Sequence, residues 1–481
     1  MKLQRCNKHH NGTAKESNHD MIAPMSFLNK IFRRRQTTEP TEGQDPQQLQ
    51  DALPLIVPRD EHTLSRSQVS PQALKVLYGL KEAGYEAYLV GGCVRDLLLG
   101  FEPKDFDVAT DASPEQVHQL FRKSRLIGRR FKLVHVGFGR DVIEVATFRA
   151  PPEATQHIDE QGKIVQDNVF GTLEQDAWRR DFTINALYYN IRDFSIVDYT
   201  GGIADLQAGK IRLIGDVETR YREDPVRMLR AIRFVGKLSL QLDDDTEYHL
   251  PHLAKLLADI PAARLFDECL KLYLSGNAVS THRLLMQYGV FDYLFPETAR
   301  ILKSGPDSLA VELLNKALEN TDQRIAESKP VTPAFLFAAI LWGPVAQQWQ
   351  KNQDNKIPAI PALQRAANDV ITTQVQRVAV PKRFTLVTKD IWIMQVRLNM
   401  RQGKRGFRLL THPKFRAAYD FLLLRVDSGE PFEELAEWWT IFQFATEAEQ
   451  QQMVNSLAPT KQKKRRRRKK PAAKKAPENK A

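Results

Sequence analysis

The spacing of apolar residues divides the chain into a mixed α/β part and a helical part. Between about residues 70 and 150, short apolar runs typical of strands alternate with helical periods. Ser70-Pro71 predicts the start of a helix that ends at Gly84. Gly139-Arg140 predicts the turn of a hairpin between Leu133–Phe138 and Val142–Phe148. We therefore expect a mixed sheet with an antiparallel component in this part of the chain.

After about residue 215, apolar residues recur at intervals of three and four, and Pro or Gly separates the segments. This pattern predicts an all-helical half without a detectable repeat. The predicted fold class is α+β, with a small mixed-sheet head followed by a helical neck, body and leg. The predicted divisions are a poorly ordered leader at 1–60, a head at 61–205, a neck at 206–275, a body and leg at 276–460, and a disordered basic tail at 461–481.

The composition excludes several classes of protein. Apolar residues make up 42% of the chain, which is enough for a buried core and excludes wholesale disorder. Three cysteines, far apart, do not build a disulfide framework or a zinc finger. No apolar stretch is long enough to predict a membrane span, and the N-terminus lacks the pattern of a secretory signal. The predicted location is a reducing cytoplasm.

Positive charge is concentrated at the C-terminal end. The formal net charge is +12, and residues 461–481 contain twelve Lys/Arg and one acid. Such a run is typical of segments that bind polyanions without sequence specificity. We predict RNA binding by eight consecutive cations: Lys463, Lys464, Arg465, Arg466, Arg467, Arg468, Lys469 and Lys470. A solubilising tail and a docking strip for other proteins, such as those of RNA decay, are the alternatives.

The leader contains one short amphipathic segment, at residues 25–35. Its four apolar residues at helical spacing are followed by three arginines, which is typical of a peripheral contact with a membrane surface or a partner. A solvated leader is the simpler interpretation. Met1, Met21 and Met25 are all plausible translation starts. The sequence leaves open both which of them is used and whether this segment contacts the inner membrane.

Two short segments of the predicted head suit phosphate and metal chemistry. Gly91-Gly92 lies between a predicted strand and a predicted helix, where glycine lets the backbone approach a phosphate. Asp105 and Asp107 are two apart on a predicted strand and therefore share a face. Paired carboxylates of this kind hold two Mg²⁺ ions in many polymerases. Taken alone, the first segment is also explained by a tight turn and the second by a solvent-facing pair of acids.

Four motifs in order resemble those of the polymerase-β-like nucleotidyltransferases of the bacterial tRNA CCA-adding/poly(A) polymerase class. The resemblance runs from about residue 58 to residue 481. Residues 126–136 are similar to the stretch that marks poly(A) polymerases against CCA-adding enzymes, and the C-terminal half also resembles the poly(A) polymerases. The four motifs are Gly91-Gly92-x-x-Arg95-Asp96 with Asp105-x-Asp107, then Arg179–Ala186, Asp198–Arg212 and Glu223–Arg230.

The resemblance implies a nucleotidyltransferase head, a neck that recognises the nucleotide base, and a helical RNA-binding body and leg. It implies that Asp105 and Asp107 hold two Mg²⁺ ions, that Asp181 joins them as a catalytic residue, and that ATP is the substrate. Asp181 also suits a bond to the ribose. The nucleotide-binding residues it implies are Gly91, Gly92, Arg95, Asp96, Arg180, Asn185, Asp224, Arg227 and Arg230.

Two of these assignments have competing interpretations. Asp224 and Arg227 are three apart on a predicted helix and offer adenine an acceptor for N6 and a donor for N1, a pattern that guanine reverses. Asp224-Pro225 is equally typical of a helix start. Glu144 is either a third metal-binding carboxylate or a charged residue of a hairpin.

The implied activity is template-independent transfer of AMP from ATP to the 3′-OH of RNA, with release of pyrophosphate, in RNA processing and decay. A tRNA CCA-adding enzyme is the first alternative, because the motifs of the head are shared. A catalytically silent RNA-binding scaffold is the second. The sequence leaves RNA targets, processivity and oligomeric state open.

Overall fold

The computed structural model describes residues 53–128, 132–150, 169–305 and 308–457, and the chain divides into two units between Leu257 and Ala258. This division falls inside the range that the sequence predicts for the neck. The first unit contains the sheet and every described residue of the candidate site. The predicted tail and the amphipathic segment at 25–35 lie outside the described residues.

One eight-stranded sheet forms the centre of the first unit, in the order β1-β8-β7-β2-β3-β6-β5-β4. Among the described strands of this sheet, β3 and β6 form the one parallel pair, and all other neighbours are antiparallel. The strands are β1 Leu55–Val57, β2 Ala87–Val90, β3 Asp107–Thr110, β4 Ser124–Ile127, β5 Leu133–Phe138, β6 Asp141–Thr147, β7 Leu187–Asn190 and β8 Ile196–Asp198.

Helices connect and flank these strands. The short strands β9 (Lys210–Ile211) and β10 (Gln241–Leu242) pair in parallel beyond the sheet. A 3₁₀ turn at Thr183–Asn185 precedes β7. The helices of the first unit are α1 Pro71–Glu82, α2 Gly92–Leu98, α3 Pro114–Leu120, α4 Leu173–Trp178, α5 Gly202–Ala208, α6 Val217–Glu223, α7 Val226–Leu238 and α8 Asp244–Leu253.

Local sequence signals account for the first helix and the hairpin. The Ser70 hydroxyl accepts a hydrogen bond from the backbone N–H of Ala73 at 3.2 Å, and Pro71 is the first helical residue. Gly139 connects β5 to β6 with φ +69, a backbone conformation that favours glycine. The predicted helix start and the predicted hairpin turn are therefore confirmed.

Two elements differ from the sequence-based expectation. Strand β1 lies within the range predicted as a poorly ordered leader. Leu55 to Val57 form a strand there because they pair with β8 and extend the sheet. Strand β3 begins at Asp107, so Asp105 precedes the strand instead of sharing it. The prediction that Asp105 and Asp107 share one face of a strand was therefore wrong for Asp105. Alternation along a strand cannot align a residue that lies outside it.

All regular elements described in the second unit are helical, as the apolar spacing predicts. Aromatic residues such as Trp439, Phe442 and Phe415 form part of a core at the C-terminal end. The helices are α9 Ala262–Tyr273, α10 Ala278–Gln287, α11 Phe291–Leu294, α12 Pro296–Ser304, α13 Leu309–Ala326, α14 Pro333–Ile340, α15 Trp342–Asp354, α16 Ala359–Arg377, α17 Lys382–Leu398, α18 Lys404–Leu410, α19 Phe415–Asp427, α20 Glu433–Phe442 and α21 Glu447–Ser456. Within the described ranges, no helix is both long and apolar enough to span a membrane.

Candidate active site

The glycine pair lies where β2 ends and α2 begins. Gly91 has φ +79, which a side chain would strain, and its N–H donates to the Leu187 carbonyl at 3.3 Å. A Cβ built on Gly91 would lie 3.5 Å from Nη1 of Arg180. The backbone conformation, more than a lack of space, therefore requires glycine here. The arrangement places a cationic side chain against the turn, as a phosphate-binding loop needs.

Arg95 and Asp96 of α2 are buried and bonded to each other. Nε and Nη2 of Arg95 donate to Oδ1 of Asp96 at 2.8 and 2.5 Å. Nη1 of Arg95 donates to Oδ1 of Asn185 at 2.5 Å, which joins the glycine loop to the 3₁₀ turn. Sequence analysis assigned all three residues to nucleotide binding, and the structure brings them together.

Carboxylates collect at the start of β3. Asp107 is in register with Glu144 on the parallel neighbour β6, and Oε2 of Glu144 lies 3.4 Å from Nε2 of His135. The pKa of Asp107 is raised to about 6, mainly by desolvation and then by the charges of Glu144 and Asp105, while the charge of Arg180 opposes the shift. Concentrated negative charge of this kind is stabilised by a cation.

The chemistry of these residues fits a divalent metal ion with one or two protein ligands. Within the described part of the chain, no three His, Cys, Asp or Glu side chains form a metal-binding cluster. Mg²⁺, however, is usually bound by one or two carboxylates together with substrate phosphates and water. The carboxylate of Asp107 lies beside those of Glu144 and Asp105, and the charge of Arg180 only partly offsets the rise in its pKa. The donor set is hard oxygen, which is what Mg²⁺ prefers.

Arg180 is held in place from the side away from the glycine loop. Its Nε donates to the Tyr188 hydroxyl at 2.8 Å, and its Nη2 donates to Oδ2 of Asp176 at 3.0 Å. The Tyr188 hydroxyl also donates to Asp176 at 2.8 Å. Because these contacts fix the guanidinium, Nη1 stays directed at Gly91. Neither Asp176 nor Tyr188 was singled out from the sequence.

Asp181 lies in a different set of contacts from Asp105 and Asp107. Its Oδ1 accepts from the Phe182 N–H at 2.9 Å and from Nδ2 of Asn185 at 3.4 Å, and its Oδ2 forms an ion pair with Arg230. These contacts connect Asp181 to α7 and to the 3₁₀ turn. This geometry suits a positioning or ribose-binding role.

The pair predicted to read the base lies at the junction of α6 and α7. Asp224 follows the last residue of α6, and its Oδ1 accepts from the Val226 N–H at 3.2 Å, so one carboxylate oxygen caps α7. Nη1 of Arg227 donates to Oε2 of Glu223 at 2.9 Å and to the Arg220 carbonyl at 2.5 Å. The partner Glu223 was overlooked, although its spacing of four from Arg227 was a signal.

The helix α7 carries Phe234, whose aromatic ring lies beneath three guanidinium groups. The Cζ atoms of Arg95, Arg230 and Arg233 lie 5.2, 5.9 and 5.0 Å from the ring centroid of Phe234. Phe182 packs edge-on against the same ring at 5.4 Å. Arg227, Arg230 and Arg233 recur every three residues along α7, and Met228, Leu229 and Ile232 are buried on its core side.

The sheet, the glycine loop and the carboxylates define a nucleotidyltransferase head, and family models agree with this class. Residues 87–212 match the "Poly A polymerase head domain", residues 239–302 match the "Probable RNA and SrmB- binding site of polymerase A", and residues 355–472 match the "Polymerase A arginine-rich C-terminus". The predicted enzyme class is therefore confirmed.

Sequence relatives identify the branch. The chain is 51% identical over 411 residues to poly(A) polymerase I of Salmonella typhi, which covers 84% of this chain and 88% of that one. The chain belongs to the bacterial poly(A) polymerase I family. A CCA-adding enzyme of Lactobacillus delbrueckii subsp. bulgaricus is 38% identical over 255 residues, which is 51% of this chain. The crystal structure of the Bacillus stearothermophilus CCA-adding enzyme in complex with CTP is similar with a TM-score of 0.51 and 27% identity, covering 77% of this chain and 82% of that one.

Proposed function

We propose that the protein transfers AMP from ATP to the 3′-OH of RNA without a template and releases pyrophosphate, in RNA processing and decay. This proposal is supported mainly by one observation. Asp107 and Glu144 lie side by side on two parallel strands, next to a glycine loop that Arg180 contacts. Family membership supplies the polymerase identity. The predicted neck, RNA-binding body and basic tail belong to the same proposal, as does a cytoplasmic location.

The triphosphate is proposed to lie over Gly91-Gly92, with Arg180 as its cationic contact and Arg95 fixed behind it. Asp105 and Asp107 are the proposed ligands of two Mg²⁺ ions, and Glu144 places a further carboxylate, a hydrogen-bond acceptor, beside Asp107. Bound there, Mg²⁺ would lower the pKa of the attacking hydroxyl and neutralise charge on the phosphates. Asp181 and Asn185 are proposed to orient the nucleotide at the ribose, since their contacts join the glycine loop to α7.

Adenine selection is proposed to depend on Asp224 and Arg227. Because one Asp224 oxygen caps α7, the second oxygen is the proposed acceptor for adenine N6. Oε2 of Glu223 accepts a hydrogen bond from Nη1 of Arg227, and this contact fixes the orientation of the guanidinium group. Guanine presents the reverse pattern of donor and acceptor, so it is rejected. Cytosine presents a similar pattern to adenine, so its rejection must depend on pocket size.

The test is nucleotide incorporation with labelled ATP, CTP and GTP on two RNAs, an unstructured one and a tRNA lacking CCA. We expect AMP addition to the unstructured RNA. Addition of two C residues and then A, on the tRNA alone, would establish the CCA-adding alternative. No incorporation of any nucleotide would favour the silent scaffold.

The matched variants are Asp107→Ala and Asp141→Ala, both on strands of the same sheet. Loss of metal binding is worth several kcal/mol of transition-state stabilisation, so Asp107→Ala should retain less than roughly 1% of the rate. RNA binding should stay nearly intact in both variants. Asp141 is exposed and bonds Gln72, so its loss should leave the rate largely unchanged.

A further inference from the structure

Lys237, in the last turn of α7, contacts the glycine-loop helix from outside the four motifs. Its Nζ donates to Oδ2 of Asp96 at 3.0 Å, across 141 residues of sequence. The Asp96 side chain is 10% exposed and that of Lys237 is 39% exposed. The lysine thus provides a counter-ion to a nearly buried carboxylate whose other oxygen holds Arg95.

This contact closes a ring of charged and polar side chains. Starting from α7, the ring passes from Lys237 to Asp96, from Asp96 to Arg95, and from Arg95 to Asn185. Asn185 bonds Asp181, and Asp181 pairs with Arg230, which returns to α7. We call this set of six residues the charge ring: Lys237, Asp96, Arg95, Asn185, Asp181 and Arg230.

The helix α7 presents both ends of the charge ring on one face. Arg230 and Lys237 are seven residues apart, which is close to two helical turns, so their side chains point the same way. Phe234 lies between them on that face, and its ring contacts the guanidinium groups of Arg95 and Arg230. The helix that carries Arg227 therefore contacts the glycine-loop helix directly at Lys237 and at the ring of Phe234, while Arg230 is connected to it only through Asp181 and Asn185.

We infer that Lys237 is a positioning residue for the nucleotide: by closing the charge ring, it holds the phosphate-contacting loop and the base-reading helix at a fixed separation. This inference rests on the proposed function, because it assigns the triphosphate to the glycine loop and the base to the start of α7. A nucleotide that contacts both the glycine loop and α7 needs them correctly spaced before it binds. If the ring is open, part of the binding free energy is spent on closing it.

The expected signature is a change in affinity without a matching change in chemistry. Lys237→Met should raise the KM for ATP about tenfold, while kcat changes less than threefold, because the bound nucleotide restores the geometry. The Kd for ATP, measured by titration calorimetry in Mg²⁺ without RNA, should rise by a similar factor. Hydrogen exchange at residues 92–98 should become faster.

Two variants separate positioning from a general loss of stability. Lys237→Arg keeps the cation and should stay within threefold of wild type in both constants. Lys271→Met is the matched control. Lys271 is also half-exposed, and its ammonium group pairs with the buried carboxylate of Glu268 at 2.8 Å, outside the charge ring. Lys271→Met should lower the melting temperature about as much as Lys237→Met does, and it should leave the KM for ATP unchanged.

The outcomes distinguish the inference from the proposed function. A wild-type protein that does not add AMP to RNA overturns the proposed function, and the Kd for ATP then still tests Lys237. An unchanged KM and Kd in Lys237→Met overturns the inference, whether or not its melting temperature falls. If Asp96→Asn already raises the Kd, adding Lys237→Met should cost little more. Full additivity of the two substitutions would also overturn the inference.

Discussion

Asp107→Asn should stabilise the metal-free protein while it removes activity. The carboxylate of Asp107 faces Glu144 in register and has Asp105 two residues before it, so ionising it in the folded state is unfavourable. Its pKa rises from the ordinary 3.8 to about 6, mainly through burial. A shift of that size corresponds to about 3 kcal/mol. Although the carboxylate is partly desolvated, more than a third of the residue's surface stays in contact with solvent, which screens the charge, so we reduce the penalty to about 1 kcal/mol.

The pH dependence follows from the sign of the shift. Because the folded pKa lies above the unfolded one, the ionisation penalty is fully present above pH 6 and disappears as the pH falls toward 3.8. Asparagine cannot ionise, so the variant avoids the penalty. In chelator at pH 8, the free energy of unfolding of Asp107→Asn should exceed that of wild type by about 1 kcal/mol, and the difference should disappear as the pH falls to 3.8 and below.

Mg²⁺ should reverse the order of stability. An ion at ten times its Kd adds about 1.4 kcal/mol to the folded wild type. Asp107→Asn should gain much less, since it lacks the ligand. The assay is chemical unfolding in chelator and in Mg²⁺, with Asp141→Asn as the control for loss of one negative charge. A variant no more stable than wild type in chelator, or stabilised equally by Mg²⁺, would refute the reasoning.

Three further predictions concern other parts of the chain. A Cβ at Gly202 would overlap the Thr183 carbonyl, so Gly202→Ala should lower the free energy of unfolding by about 2–3 kcal/mol in denaturant melts. Gly289→Ala is the control, because a Cβ there meets only a strained backbone conformation, and it should cost about 1 kcal/mol. Burial lowers the pKa of His282 to about 4, so between pH 6.5 and 4 the unfolded chain takes up a proton that the folded protein does not, and stability falls. Thermal melts of His282→Leu should therefore depend less on pH in that window. Removal of residues 461–481 should flatten the salt dependence of RNA binding, by about 0.7 in log–log slope for each lost contact with a single strand.

The parts of the structure that sequence reasoning predicted are those with local causes. Ser70-Pro71 starts a helix because its hydroxyl caps the next turn, and Gly139 turns a hairpin through its own backbone conformation. The pairing of β1 with β8 was missed because the partner strands are far apart in sequence and three residues carry too weak a pattern.

The candidate site shows the same division. Motif spacing placed Asp107, Arg95 and Asn185 in one region, and the structure bonds Arg95 to Asn185 and pairs Asp107 with Val90, directly before the glycine pair. The position of Asp105 before its strand depends on where pairing begins, which no local pattern determines. The contact of Lys237 with Asp96 joins two helices through tertiary packing, and no spacing rule connects residues 141 apart.

The pairing of β1 with β8 also has a consequence for synthesis. The first strand of the sheet leaves the ribosome about 140 residues before its only described partner, β8, is complete. At about 5–20 residues per second, the strand waits roughly 7–30 seconds with its edge unpaired. Leu55 and Ile56 remain more than two-fifths exposed even after folding, so the nascent strand presents an apolar edge throughout this interval. The nascent chain is therefore most vulnerable to aggregation before residue 198 emerges, and slower translation of residues 58–198 should lengthen that period.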